Sequence, residues 1–323
     1  AALRDIGRNY KPASLAPYAE EAAGTAFGSR PAVSAEIVSS TELPDLGATA
    51  YVLSNGVQVI TKQTDFNTDW VQFSAYSAGG SYLYDEADYP SADIAADYAV
   101  CSGIGGMTYS QMSKALSGLN VRFDVDIRHW SEGMNGGASD ADLETLFQLL
   151  YQFMAGPQFT DEGWNTAYAL YEESARTHGS TPTDVFGAKI GELLYGDSLY
   201  HAPFDRDYFS RIDRATAERI YRDRFANAAD FLFVFSGDMD EAHLLELCRA
   251  YLGNLPSEPG QHERVNMRRV AFPAETADAR VYKGLDPQAR VQMHFKSLVP
   301  PAAGAAENWR DDALADAVEN LLS

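Results

Sequence analysis

The clearest rhythm in the chain is a two-residue alternation interrupted by a turn. In ATAYVLSNGVQVITK, Val52-Leu53 and Val57-Gln58-Val59-Ile60 flank Ser54-Asn55-Gly56, and Asn-Gly between apolar stretches predicts a β-hairpin. A further strand is predicted over 70–77 (WVQFSAYS), ending at Gly79-Gly80. A helix is expected over about 91–102, then a Gly-rich loop over 102–107, with Thr108 or Ser110 capping the helix SQMSKALSG. VRFDVDIRH alternates and GMNGGAS follows it, which gives two more strands. After them the period lengthens. Leu143, Leu146, Phe147, Leu150, Phe153 and Met154 fall on one helical stripe. Helices are predicted over 160–177, from Thr181-Pro182 onward, and over 213–225. The strand 231–235 then leads through Ser236-Gly237-Asp238 into a helix over 241–251, and Leu255-Pro256 closes the unit.

Strands at both ends of a block of helices specify an α+β class, with helices on one face of a mostly antiparallel sheet. The expected organisation is a connector over 1–47 (one short helix at 15–23), a complete domain over 48–256 and a linker over 257–274 that begins in SEPGQHERVN. A second domain is expected to start at 275–323. There VQMHFKS at Val291 repeats the pattern of VQFSAYS at Val71. ALADAVENLL then follows it at the spacing at which DIAADYAVCS follows the first copy. The second copy stops inside an apolar helix, so the chain is expected to be incomplete. The apolar surface left by a partial domain is expected to be covered by a neighbour, by disorder or by dimerisation.

Charge narrows the partners. The 46 acidic and 25 basic residues give a net charge of −21, which repels phosphate backbones and argues against nucleic acid. Cys101 and Cys248 form no CxxC pair and say little about redox compartment. No apolar run reaches the roughly 20 residues of a membrane span, and AALRDIGRNY lacks the pattern of a signal peptide.

The candidate chemistry begins with SADIAADYAV, in which Asp93 and Asp97 share one helix face. Such a pair could bind a cation with help from Asp85, Glu86 and Asp88, share a proton, or face water. None of the six histidines forms an HxxEH or HxxH spacing. Gly103, Gly105 and Gly106 lack the Lys of a phosphate loop and read as a tight turn. Asp238 and Asp240 read as caps of the helix that follows them. Tyr82, Tyr84 and Tyr89, set among acids, are the surface candidates, either lining a peptide cavity or packing a long loop.

LSNGVQVITKQTDF, SDADLETLFQLLYQFMAGPQFTDEGW and FLFVFSGDMDEAHLLELCRAYLGNLP occur in an order that resembles the insulinase/pitrilysin-type metallopeptidases, the inverted zincins. The resemblance implies that DIAAD stands where active members carry HxxEH. Asp93 and Asp97 then take the two histidine positions, Ala96 the catalytic glutamate, and Glu173 (or Glu172) the distant zinc ligand. Zinc hydrolysis needs neutral imidazoles and a base on the bound water, so this chain is expected to be inactive alone and to carry no cofactor. The resemblance further implies the linker between two halves, a degenerate third domain and the start of a fourth. Zinc and catalysis would reside in an N-terminal half of the parent protein. The halves would close around a peptide or unfolded polypeptide, with a cell-envelope or periplasmic location. The other implied reading is an inactive peptide-binding or scaffold subunit that partners a separate peptidase chain.

Overall fold

The computed structural model describes residues 27–260, 275–285 and 289–294. Seven strands, β1 (Ile37–Leu43), β2 (Ala48–Leu53), β3 (Gln58–Gln63), β4 (Val71–Ala78), β5 (Val121–Ile127), β6 (Ser131–Ala138) and β7 (Leu232–Gly237), form one sheet. Their order is β1-β2-β3-β7-β4-β6-β5. Every pairing is antiparallel except β3 with β7. The predicted α+β class and mostly antiparallel sheet are therefore present. The Asn-Gly hairpin joins β2 and β3, with the Leu53 amide donating to the Val57 carbonyl at 2.9 Å.

The helices are α1 (Tyr89–Cys101), α2 (Tyr109–Leu116), α3 (Leu143–Ala155), α4 (Asp161–Thr177), α5 (Pro182–Tyr195), α6 (Arg206–Phe209), α7 (Arg214–Arg224) and α8 (Glu241–Tyr251). Polar residues start most of them. Thr108 with Gln111 and Thr181 with Asp184 form reciprocal capping boxes, and Thr160, Asp213 and Asp240 accept from backbone amides of the first turn. The stripe predicted on α3 is buried at all six positions. It meets the sheet through Phe147, stacked on Phe235 at 5.2 Å, and Phe235 in turn touches Phe73 at 5.2 Å. Along β4, Val71, Phe73 and Ala75 are buried while Gln72 and Tyr76 are exposed. The helices thus cover one face of the sheet and leave the other open.

Two expectations differ from the structure. Ile37–Leu43 falls in the stretch read as a connector, yet it pairs along β2 as an edge strand. Only its two ends are partly buried. A strand held by its backbone ladder and exposed on both faces carries no hydrophobic alternation to read. The strand expected at Val291 has no counterpart over the described residues 291–294, where Val291 and Met293 are exposed, and the rest of that segment lies outside the described residues. The short helix expected at 15–23 and the helix expected from Ala313 lie outside the described residues.

Candidate functional site

The site is organised by α1, which is buried on nearly every side, as its Ala-rich sequence requires. It packs between α4 and α7. On α4 the residues Gly163, Ala167, Tyr171 and Ala175, each four apart, run along the side away from solvent. The small ones let the helices close. A Cβ at Gly163 would lie 2.2 Å from Ser102 Oγ and 2.5 Å from Ser102 Cα. Ser102 completes the seam: its Oγ donates to the Tyr98 carbonyl at 2.8 Å and accepts from the Thr160 amide at 3.1 Å.

This close approach brings Tyr171 onto the paired carboxylates. Its hydroxyl lies 2.5 Å from Asp97 Oδ2 and 2.7 Å from the Asp93 carbonyl oxygen, and shares one proton between them. Asp93 is engaged from the other side. The short helix α6, capped by Asp205, delivers the buried Tyr208, whose hydroxyl donates to Asp93 Oδ2 at 2.6 Å. Burial pushes the Asp93 carboxyl above the usual aspartate range, against the Tyr208 hydrogen bond and the nearby His129. Burial, reinforced by the carboxylates, holds the Tyr171 and Tyr208 phenols far above their ordinary value. Both tyrosines therefore remain donors at neutral pH. The result is a carboxylate–phenol interlock joining α1, α4 and α6.

Asp93 and Asp97 are thus each held by a tyrosine, Asp93 by Tyr208 and Asp97 by Tyr171. Ala96 is buried in the core and offers no proton acceptor. Glu173 is not brought to them. It is exposed and pairs with Arg176 one turn along its own helix, at 2.6 and 2.8 Å, which lowers its carboxyl. Glu172 is exposed as well. Tyr171, one or two residues earlier, holds the inward position. These residues do not fit a zinc ion: both aspartates already accept phenolic protons, the third carboxylate is committed elsewhere, and no base stands at Ala96. Among the described residues no group of three or more His, Cys, Asp and Glu is placed to hold a metal.

Of the two readings of Tyr82, Tyr84 and Tyr89, cavity lining or packing of a long loop, their burial agrees with packing. Tyr82, Tyr84 and Tyr89 are 2%, 8% and 3% exposed. Tyr82 stacks on His129 at 4.7 Å and meets Tyr200 edge-on at 5.6 Å. The Tyr89 hydroxyl donates to the Tyr200 carbonyl at 3.3 Å. Tyr84 donates to Asp223 at 2.7 Å and accepts from Arg224 Nε at 2.8 Å. The segment 198–209 covers the Tyr82 and Tyr89 rings, a long-range contact that local sequence does not announce. The glycine loop is the expected turn: Gly103 has φ +73°, and a Cβ there would meet the Met107 carbonyl oxygen at 2.1 Å. Asp240 caps α8 as predicted, whereas Asp238 accepts from the Asp69 amide at 3.2 Å and ties down the loop before β4.

Comparison with known proteins gives this scaffold its relatives. No family model matches the chain. A zinc protease PQQL-like protein of Arabidopsis thaliana is 30% identical over 246 residues, 76% of this chain and 23% of that protein. The probable zinc protease PqqL of Escherichia coli K12 is 24% identical over 256 residues, 79% of this chain and 27% of that protein. The crystal structure of the E. coli periplasmic protease PqqL superposes with a TM-score of 0.65 over 82% of this chain and 29% of that one, at 21% identity. A peptidase M16 inactive domain from Pseudomonas fluorescens superposes with a TM-score of 0.55 over 68% of this chain and 54% of that one, at 14% identity. The fold is that of the M16 peptidase domains, and the chain belongs to the insulinase-type family over the part compared. It spans about a quarter of the length of the curated relatives it matches.

Proposed function

We propose that this chain is a non-catalytic segment of a zinc endopeptidase of the PqqL kind and forms part of the wall of its peptide chamber. Hydrolysis would occur on zinc in an N-terminal half of the parent protein. The observation that carries the reading is the interlock: Asp93 and Asp97, which the resemblance aligns with the two histidines of HxxEH, are bound by Tyr208 and Tyr171. Such a site keeps the helices in register and leaves no metal ligand or base available. The acidic balance of the chain, −21 overall, suits a wall that draws in basic peptides. A periplasmic location is proposed from the E. coli relative. Among the described residues no helix is long and apolar enough to cross a membrane.

The test compares the full-length protein with this chain on an unstructured peptide in the presence of zinc. The full-length protein is expected to cleave it, and this chain is expected to leave it intact. Cleavage by the chain alone, abolished by Asp93→Ala, would overturn the assignment.

A further inference from the structure

The open face of the sheet carries a cleft of about 520 Å³ near the start of β4, whose lining includes Asn67, Asp69, Trp70, Gln72, Asn120 and Arg122. That volume falls within the range of small-ligand sites. Gln72, Gly137 and Arg122 lie side by side across β4, β6 and β5, on the face away from the helices. A Cβ at Gly137 would stand 2.6 Å from Trp70 Cζ2, so the indole lies against the sheet because no side chain occupies that place. Trp70 Nε1 donates to Gln72 Oε1 at 3.3 Å, which leaves the amide NH₂ of Gln72 as its remaining donor. The preceding residue, Asp69, is a non-glycine held in the left-handed region at φ 54°. It is fixed there by its own amide donating to Asp238 and by its carboxylate accepting from the Asp140 amide at 3.0 Å. Backbone strain over-determined by its surroundings is a recurring feature of ligand clamps.

Arg122 supplies the positive charge in the lining of the cleft. Its guanidinium lies over the Trp70 ring, 5.8 Å from the centroid, a cation–π contact that restricts it. Among the described residues it makes no hydrogen bond or ion pair. We infer that this cleft binds a carboxylate, with the Arg122 guanidinium as its charged donor, neighbouring amides as neutral donors and Trp70 as a rigid platform. A planar fork of N–H groups matches a carboxylate in two parallel hydrogen bonds. One guanidinium, with no second cation among the described lining residues and with Asp69 beside it, suits a monoanion better than a phosphate. The source is the C-terminus or an acidic side chain of a peptide. That choice of source rests on the chamber reading above; the carboxylate preference rests on the cleft alone.

The experiment is isothermal titration of the chain with four probes. They are an N-acetylated alanine peptide with a free C-terminus, its C-terminal amide, the amide containing one Glu, and inorganic phosphate. At least one carboxylate-bearing peptide is expected to bind roughly ten- to hundred-fold more tightly than the neutral amide, and which one does so identifies the source. Arg122→Gln is expected to reduce that affinity to the level of the neutral amide, while Arg122→Lys retains part of it. Arg122 is exposed, so thermal unfolding of both variants should match the parent. Equal affinity for acid and amide, stronger binding of phosphate, absence of binding by any probe, or an unchanged Arg122→Gln would each overturn the inference. None of these results alters whether the full-length protein cleaves peptides, so failure of this site and failure of the chamber reading remain distinct.

Discussion

Tyr208 donates its hydroxyl to a carboxylate that burial already holds above the aspartate value of 3.8. Tyr208→Phe is expected to destabilise the fold by about 1–3 kcal/mol near pH 7, because it leaves an ionised, largely desolvated oxygen without its donor. Urea denaturation measures this directly. The pH dependence has a definite sign. With the folded pKa of Asp93 above the unfolded one, the protonated carboxyl favours the folded state below pH 3.8, and that advantage is lost as pH rises through the folded pKa. The penalty of Tyr208→Phe should therefore shrink as the pH falls through that range. Asp93→Asn keeps an acceptor for Tyr208 but removes the charge. It should stay within about 1 kcal/mol of the parent at pH 7 and flatten the stability profile between acid and neutral pH. A large loss at pH 7 would mean that the charge itself holds α1 in place.

Between helices, the decisive dimension is the α1–α4 seam. In an exposed helix, Gly→Ala is stabilising by about 1 kcal/mol. At Gly163 the added Cβ would stand 2.5 Å from Ser102 Cα, a backbone atom. Steric overlap should win, and Gly163→Ala is expected to destabilise by about 1–3 kcal/mol, read from the denaturation midpoint. Tyr171 should also move off Asp97, since both depend on the same approach, and loss of the Tyr171 contact is visible as a lowered phenol pKa in ultraviolet titration. Much at this scale was legible in the sequence. Thr108, Thr160, Thr181, Asp213 and Asp240 all begin helices close to where their side chains say they should, because capping is decided within four residues. The edge strand Ile37–Leu43 was not, since its ladder partner rather than its own side chains makes it a strand.

For the whole molecule, the proposed chamber gives an electrostatic expectation. A wall contributing net charge −21 should raise the capture rate of basic peptides by the full-length protein. That advantage should fall as ionic strength passes about 0.1 M, where the screening length is about 10 Å. Measuring kcat/KM for a basic and a neutral peptide across a salt series checks it. Parallel salt profiles for the two peptides would count against electrostatic capture.

The sequence by itself determined the core elements from β2 to α8 in their order, the α3 stripe that enters the core, and the absence of imidazoles and a base at 93–97, since these follow from periodicity, capping and residue identity. Tertiary structure alone decided what the aspartates do. The partners of Asp93 and Asp97 arrive from α6 and α4, Tyr208 from 115 residues away and Tyr171 from 74, and only the packed seam brings them within hydrogen-bonding distance. The same holds for Glu173, which a change of helix face commits to Arg176, and for Tyr82 and Tyr89, which a later segment buries. Local pattern fixes which residues share a face; the closure of distant segments onto that face fixes which atoms meet.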